Sequence, residues 1–195
     1  MKPLIRPGLS ILLIALFATQ PASAFSHPLS PEAIREAYFL ATGDSSRMAE
    51  AFAKYTRIFS PPKKGPYVAT IEFETPYVVV ANEIAMNPTA YLAPDAEEKF
   101  LGKPETCRVL VQVYFPFNDD ENVTVQLLQN DKEIAIQSVQ KVFLDTETEP
   151  PFAVGIEIDA DYSADKVDAD KSGTVEVTLQ NGQQVETEFD LSQLR

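Results

Sequence analysis

Two hydrophobic periods divide this chain. In the first, Ile34, Ala37, Tyr38 and Ala41 recur at helical spacing behind Ser30-Pro31-Glu32. That triplet supplies a capping hydroxyl, a proline suited to the first helical position and an acid beside the positive end of the helix dipole. Gly43 ends the run. Asp44 or Ser45 then caps a second helix, whose Met48, Ala51, Phe52, Tyr55, Ile58 and Phe59 share one face as far as Pro61-Pro62. The pair predicts an antiparallel helical hairpin with an exposed exit at Lys63-Lys64-Gly65. Tyr67 to Glu74 alternates, with Tyr67, Ala69, Ile71 and Phe73 on one side, which is a strand pattern. Thr75-Pro76 restarts a helix on Tyr77, Val80, Ala81, Ile84 and Ala85, but the β-branched run Val78-Val79-Val80 leaves strand open for residues 76–86. Residues 94–101 read as a short helix closed by Gly102 and Pro104.

From Cys107 onward the period is two. Cys107, Val109, Val111, Val113 and Phe115 alternate with more polar neighbours. Residues 123–129 and 133–137 flank an Asn130-Asp131 turn, and further strands are expected near 139–144 and 152–158. Residues 173–180 and 183–190 flank Asn181-Gly182, a strong hairpin signal. The expected fold class is α+β: an N-terminal helical hairpin plus an antiparallel β-sandwich of immunoglobulin-like architecture. The Cys-Trp-Cys pattern of true immunoglobulin domains is absent, so the expectation concerns architecture alone. The division is a signal peptide over 1–24, the hairpin over 25–66 and a strand-rich α+β body over 67–195, with the sandwich from about 107.

The segment before the hairpin reads as an address. Lys2 and Arg6 precede the apolar run of residues 11–18, and Ala22-Ser23-Ala24 offers an A-x-A exit. These are the three parts of a secretory signal peptide, with cleavage expected after Ala24. The run is shorter than the ~20 residues of a spanning helix, and no second apolar run of that length follows, so no transmembrane segment is expected in the mature chain. The protein is therefore expected to be exported, to the periplasm or beyond.

Composition narrows the chemistry. The 195 residues hold 16 Lys+Arg, 29 Asp+Glu, one His and one Cys, for a net charge of −13. Such a balance argues against nucleic acid, whose backbone calls for clustered bases. A single His removes poly-His zinc sites, and Cys107 alone forms no internal disulfide. Loss of residues 1–24 leaves 14 bases against 29 acids, a net −15. Residues 25–66 carry six bases and four acids (+2), whereas 67–195 carry eight and 25 (−17). Ten acids and two bases fall within residues 145–176 alone. This reads as a solvated face, a cation site, or a surface onto which the basic hairpin of a second copy docks, giving a homo-oligomer.

The segments IREAYFLATG (residues 34–43), TPYVVVANEIA (75–85) and DAEEKFLGKP (95–104), together with Tyr91, resemble a group of secreted acidobacterial proteins. The likeness spans most of the mature chain, although that group carries Gly where Ala41 stands here. It implies bacterial export and brings no catalytic residues with it.

Two constellations could hold a metal. Asp168, Asp170 and Ser172, followed by Gly173 and Val175, place oxygens at alternate positions before a turn, resembling a calcium loop. Leu179 stands where an EF-hand needs its bidentate acid, and strand-forming residues follow where a helix should begin, so an EF-hand proper is excluded. Asp159 and Asp161, with Asp165, are the neighbours such a loop could recruit for calcium. The second set arises if cleavage follows Ala24: Phe25-Ser26-His27 would then offer an amine, two amides and an imidazole, a planar nitrogen set suited to copper or nickel. Cys107 lies on the Val109/Val111/Val113 face and reads as core. Carboxylate pairs for hydrolysis are arguable at Asp119-Asp120-Glu121 and at Glu147 and Glu149, which look like turn and loop residues.

The sequence thus favours a non-enzymatic binding or interaction module whose partner is a protein or an envelope component. A periplasmic calcium- or copper-handling protein and a carboxylate-only hydrolase are the alternatives. A deep pocket with facing carboxylates and a raised pKa favours the hydrolase, a convex sandwich the module, and convergent oxygens at Asp168, Asp170 and Ser172 calcium.

Overall fold

Alternation beyond Cys107 has a simple origin: these residues build two facing antiparallel sheets. The computed structural model describes residues 25–115, 122–145 and 153–195. The strands are β1 (Thr56–Ile58), β2 (Tyr67–Glu74), β3 (Thr106–Tyr114), β4 (Thr124–Gln129), β5 (Lys132–Ile134), β6 (Ile136–Asp145), β7 (Ala153–Ser163), β8 (Ser172–Thr178) and β9 (Gln184–Asp190). Sheet A has the order β1-β2-β3-β7-β6 and sheet B the order β5-β4-β8-β9, with every neighbouring pair antiparallel. Setting β1 aside, the order β2-β3-β7-β6 over β5-β4-β8-β9 is the A-B-E-D over C′-C-F-G arrangement of an immunoglobulin sandwich. The fold class is α+β, a helix-bearing antiparallel sandwich.

Between the sheets, Val109, Val111 and Val113 of β3 and Ile156, Ile158 and Ala160 of β7 join Val125 and Leu127 of β4 and Val175 and Val177 of β8 in one buried cluster. Burying each large apolar side chain is worth about 1.5–3 kcal/mol relative to leaving it in water, and this alternation supplies it without a disulfide. Cys107 is buried on the same face of β3, and burial pushes its thiol well above the ordinary range.

Local chemistry sets the turns. Asn130 and Asp131 both take positive φ, 52° and 58°, giving the two-residue hairpin that joins Gln129 to Lys132. The β8–β9 link is longer than the expected two residues: Leu179 O accepts from Gly182 N at 2.9 Å, and Leu179 N donates to Gln183 O at 2.9 Å. Gly182 fills the left-handed slot at φ 79°, so Gln180-Asn181-Gly182 is a three-residue loop with a glycine bulge. In β2 a bulge between Val68 and Thr70 shifts the phase, burying Val68 rather than Tyr67 alongside Ile71 and Phe73. Tyr67 instead stacks on Tyr114 of β3, with ring centroids 5.8 Å apart.

The helices are α1 (Pro31–Ala41), α2 (Ser45–Phe52), α3 (Pro76–Met86) and α4 (Ala93–Phe100). Ser30 Oγ accepts from Ala33 N at 3.2 Å and Asp44 Oδ1 from Ser46 N at 2.9 Å, so the two N-terminal helices start where the sequence puts them. The second stops short. A 3-10 turn at Ala53–Tyr55 follows, and Thr56–Ile58 pairs with β2, because a ladder on an open sheet edge outweighs a further helical turn. Tyr55 remains buried there, its hydroxyl accepting from Arg195 N at 2.9 Å. Residues 76–86 are helix: Pro76 opens it, and Val78, Val80, Ala81 and Ile84 are buried on it. α1 packs chiefly on α3 and α4, and its Arg35 Nε lies 3.1 Å from Glu97 Oε2 of α4.

Candidate binding surface

Residues 168–172 enter β8 under the control of a side chain from another strand. Gln129, buried at the end of β4, accepts from Asp168 N at 2.9 Å and donates to Asp168 O at 2.9 Å. The loop's carboxylate is also occupied. Asp168 Oδ2 meets Lys171 Nζ at 2.7 Å and Oδ1 accepts from Asp170 N at 3.1 Å. Lys171 first, then that amide, hold the Asp168 carboxyl below its usual range. Asp159 and Asp161 lie elsewhere, on β7: Asp161 Oδ1 meets Arg108 Nε at 2.8 Å, and its Oδ2 accepts from Ser138 Oγ at 2.8 Å. The carboxylates of Asp168 and Asp161 therefore engage different partners. Among the described residues no group of three or more His, Cys, Asp or Glu side chains is gathered to hold a metal ion.

Phe25, Ser26 and His27 open the described chain. Phe25 is buried in the core and Ser26 is exposed. His27 Nδ1 lies 2.8 Å from Glu105 Oε2, while Glu105 Oε1 accepts from Leu29 N at 2.7 Å. Glu105 thus fastens this segment beside the start of β3. Nδ1 is also the ring nitrogen that closes a chelate with the same residue's amide, so Glu105 and a copper or nickel ion would draw on one atom. Asp119 to Glu121, Glu147 and Glu149 lie outside the described residues.

A groove that no sequence motif announces lies on the outer face of sheet A, between α3 and β6, with a volume of about 540 Å³. Glu74 of β2 stands at one end, Asp159 and Glu157 of β7 and Gln140 of β6 toward the other, and Leu110 and Arg108 of β3 between them. Glu74 is only 2% exposed. Its Oε1 accepts from Asn82 Nδ2 of α3, whereas its Oε2 has no hydrogen-bond partner among the described residues and stands 3.9 Å from Arg108 Nη1. Burial, then the charge of Glu72, push this carboxyl up to about 7 against the pull of Arg108 and Asn82. Asp159 Oδ1 is likewise buried without a partner, and burial raises its pKa. Glu157 Oε2 accepts from Gln112 Nε2 at 2.9 Å.

Next to the groove runs β6, a ten-residue edge strand. Its Ile136, Val139, Val142 and Phe143 are 37, 46, 52 and 46% exposed. The chain crosses from sheet B to sheet A through Ala135 alone, and β5, with three residues, is far shorter than β6. Lys141 of β6 is exposed, its Nζ 3.5 Å from Val123 O. Among the described residues no helix is long and apolar enough to cross a membrane.

No protein family and no curated protein matches the chain. Among solved structures it is similar to the IgNAR antibody domain C1, at 10% identity over 69% of this chain and 99% of that one, with a TM-score of 0.35. It is also similar to the IgNAR antibody domain C3, at 12% identity over 66% of this chain and 96% of that one, with a TM-score of 0.32.

Proposed function

We propose that the mature chain is an exported, non-enzymatic interaction module that receives an extended segment of a partner protein alongside β6. The observation that carries this reading is a ten-residue edge strand with four exposed large apolar side chains and β7 as its one ladder neighbour among the described residues. Unpaired N–H and C=O groups on such an edge supply affinity, and alternate side chains supply selectivity. Charge favours a foreign partner over a second copy, since two mature chains would each bring −15 to the contact. Amide hydrogen exchange tests this with a nine-residue peptide alternating valine and lysine. Protection confined to β6 is the expected result. Equal protection of β1 and β9, or none at all, overturns it. Concentration-dependent dimerisation in sedimentation velocity, with β6 protected in the dimer, would replace the foreign strand by a second copy.

Carboxylate hydrolysis is a second reading, favoured by one observation: Glu74, with its pKa raised to about 7, shares a groove with Asp159. A nitrophenyl glycoside hydrolysed by the wild type and left intact by Asp159→Asn would establish it.

A further inference from the structure

The groove beside β6 is polar at its floor and apolar along one wall. Ala85 and the exposed Met86 of α3, with Leu110 of β3, form the apolar part. The acids are Glu74, Glu157 and Asp159 inside, flanked by Glu72 on β2 and Asp161 on β7. Among the described residues Arg108 is the one base lining it, and Asp161 already holds its Nε. The acids alone would make no site. Two carboxylate oxygens, however, stand without a hydrogen-bond donor, Glu74 Oε2 and Asp159 Oδ1, and Glu74 is almost wholly buried. A buried carboxylate oxygen lacking a donor costs free energy that an incoming donor recovers.

We propose that this groove receives a cationic side chain, ammonium or guanidinium, carried by the extended segment that pairs with β6. The inference rests on the strand-addition reading for the identity of the partner, while the groove's preference for a cation stands on its own residues. Such a side chain has two parts, and the groove has a place for each. The alkyl stem lies against Leu110, Ala85 and Met86, and the charged head meets Asp159 and Glu157, with Glu74 at the inner end.

Spacing permits the reach. Gln140 of β6 is the direct neighbour of Asp159 on this face. A partner residue opposite Gln140 therefore stands two strand spacings, about 10 Å, from the Asp159 backbone. An extended lysine or arginine crosses most of that distance, and the aspartate side chain covers the rest. Anions meet the reverse field: four acids (Glu72, Glu74, Glu157 and Asp159) stand against Arg108, the one base lining the groove among the described residues, and Asp161 already holds it.

Two probes separate the groove from the strand. Ethylguanidinium, too small to form a ladder, is titrated against the mature protein and the Glu157→Gln/Asp159→Asn variant by amide chemical shifts. Expected are saturable shifts at Asn82, Ala85 and Leu110, with apparent affinity about tenfold weaker in the variant. A control variant on the opposite edge, Glu186→Gln/Glu188→Gln, removes the same charge and should titrate like the wild type. Shifts that are scattered over the surface, or weakened equally by both variants, overturn the groove whatever peptides do. The valine–lysine peptide and its valine–glutamine counterpart are then compared by fluorescence anisotropy. Equal affinity for the two, with β6 protected in both, retains strand addition and overturns the cation's place in it. Groove shifts with ethylguanidinium but no β6 protection by either peptide retain the cation preference and overturn the partner assigned to it.

Discussion

Sheet A has two edges built by opposite rules. β1 is three residues long, and its central Arg57 lies over the Phe189 ring at 4.6 Å, so the strand ends almost where it starts, with Ile58 its one exposed large apolar residue. β6 is ten residues long and exposes apolar side chains along its length. Sheet B follows the β1 rule at both sides: β5 has three residues with Lys132 and Glu133 exposed, and β9 turns Gln184, Glu186, Glu188 and Asp190 to solvent. Short or charged edges are how sheets avoid unwanted pairing. Three edges are short or lined with charge, whereas β6 is long and sets four exposed large apolar side chains beside a single base, Lys141. The exposure of β6 is therefore a local property of one strand and not a general looseness of the sandwich.

The largest expected effect probes the acid that stands where the helix-covered side of sheet A meets its open side. The folded pKa of Glu74, about 7, exceeds its ordinary 4.5, so the fold prefers the protonated carboxyl. That contribution is complete below about 4.5 and is lost as pH rises through about 7. Glu74→Gln keeps the neutral shape at every pH. Urea midpoints should coincide near pH 4, and at pH 8 the variant should be the more stable by roughly 3 kcal/mol. Coincident midpoints at pH 8 would refute the buried-charge account.

A somewhat smaller loss tests how β6 is held. A Cβ at Gly155 would lie 2.5 Å from Val113 O and 3.3 Å from Leu144 Cδ1, wedging β7 against both neighbours. Gly155→Ala should cost about 2–3 kcal/mol in denaturant titration and speed amide exchange in β6 far more than in β1. Uniform acceleration at both edges would erase the contrast between them. On the defended side, Gln129→Ala removes both bonds to the Asp168 backbone and should cost about 2 kcal/mol. A loss near zero would show that the 168–172 loop holds itself.

The smallest effect sharpens the comparison most directly. Val139→Lys adds a second base to β6, two positions from Lys141 and on the same face. Thermal melting should move by the equivalent of less than about 0.5 kcal/mol, because the position is half exposed. Binding of the valine–lysine peptide should fall at least about tenfold. Unchanged binding would locate the peptide elsewhere.

The elements were legible where periodicity and capping agree. Ser30-Pro31-Glu32, the alternation of β3 and the Asn130-Asp131 turn act through neighbours in sequence, and each sits where the pattern puts it. Legibility failed where a distant strand decided. Tyr55 to Phe59 fit a helical face, yet β2 captured Thr56–Ile58 as a strand. The period in β2 broke at a bulge that no local residue announces. The groove was hidden more deeply. Glu74, Arg108 and Asp159 belong to three strands, each follows its own strand's alternation, and their meeting is set by sheet order alone. The acidic run around residues 145–176 is legible because it is contiguous, whereas the two carboxylate oxygens lacking a hydrogen-bond donor belong to residues 85 positions apart, Glu74 and Asp159.

The buried thiol of Cys107 gives the protein a clock. Set on β3 between the two sheets, with its pKa raised by burial, it meets an alkylating reagent only in molecules whose sandwich has opened. Because the chain holds a single sulfhydryl, every such event adds one mass increment and no second product. Labelling in excess reagent thus counts openings of the intact, unlabelled fold over hours, and a partner seated on β6 should slow that count in proportion to how tightly it binds.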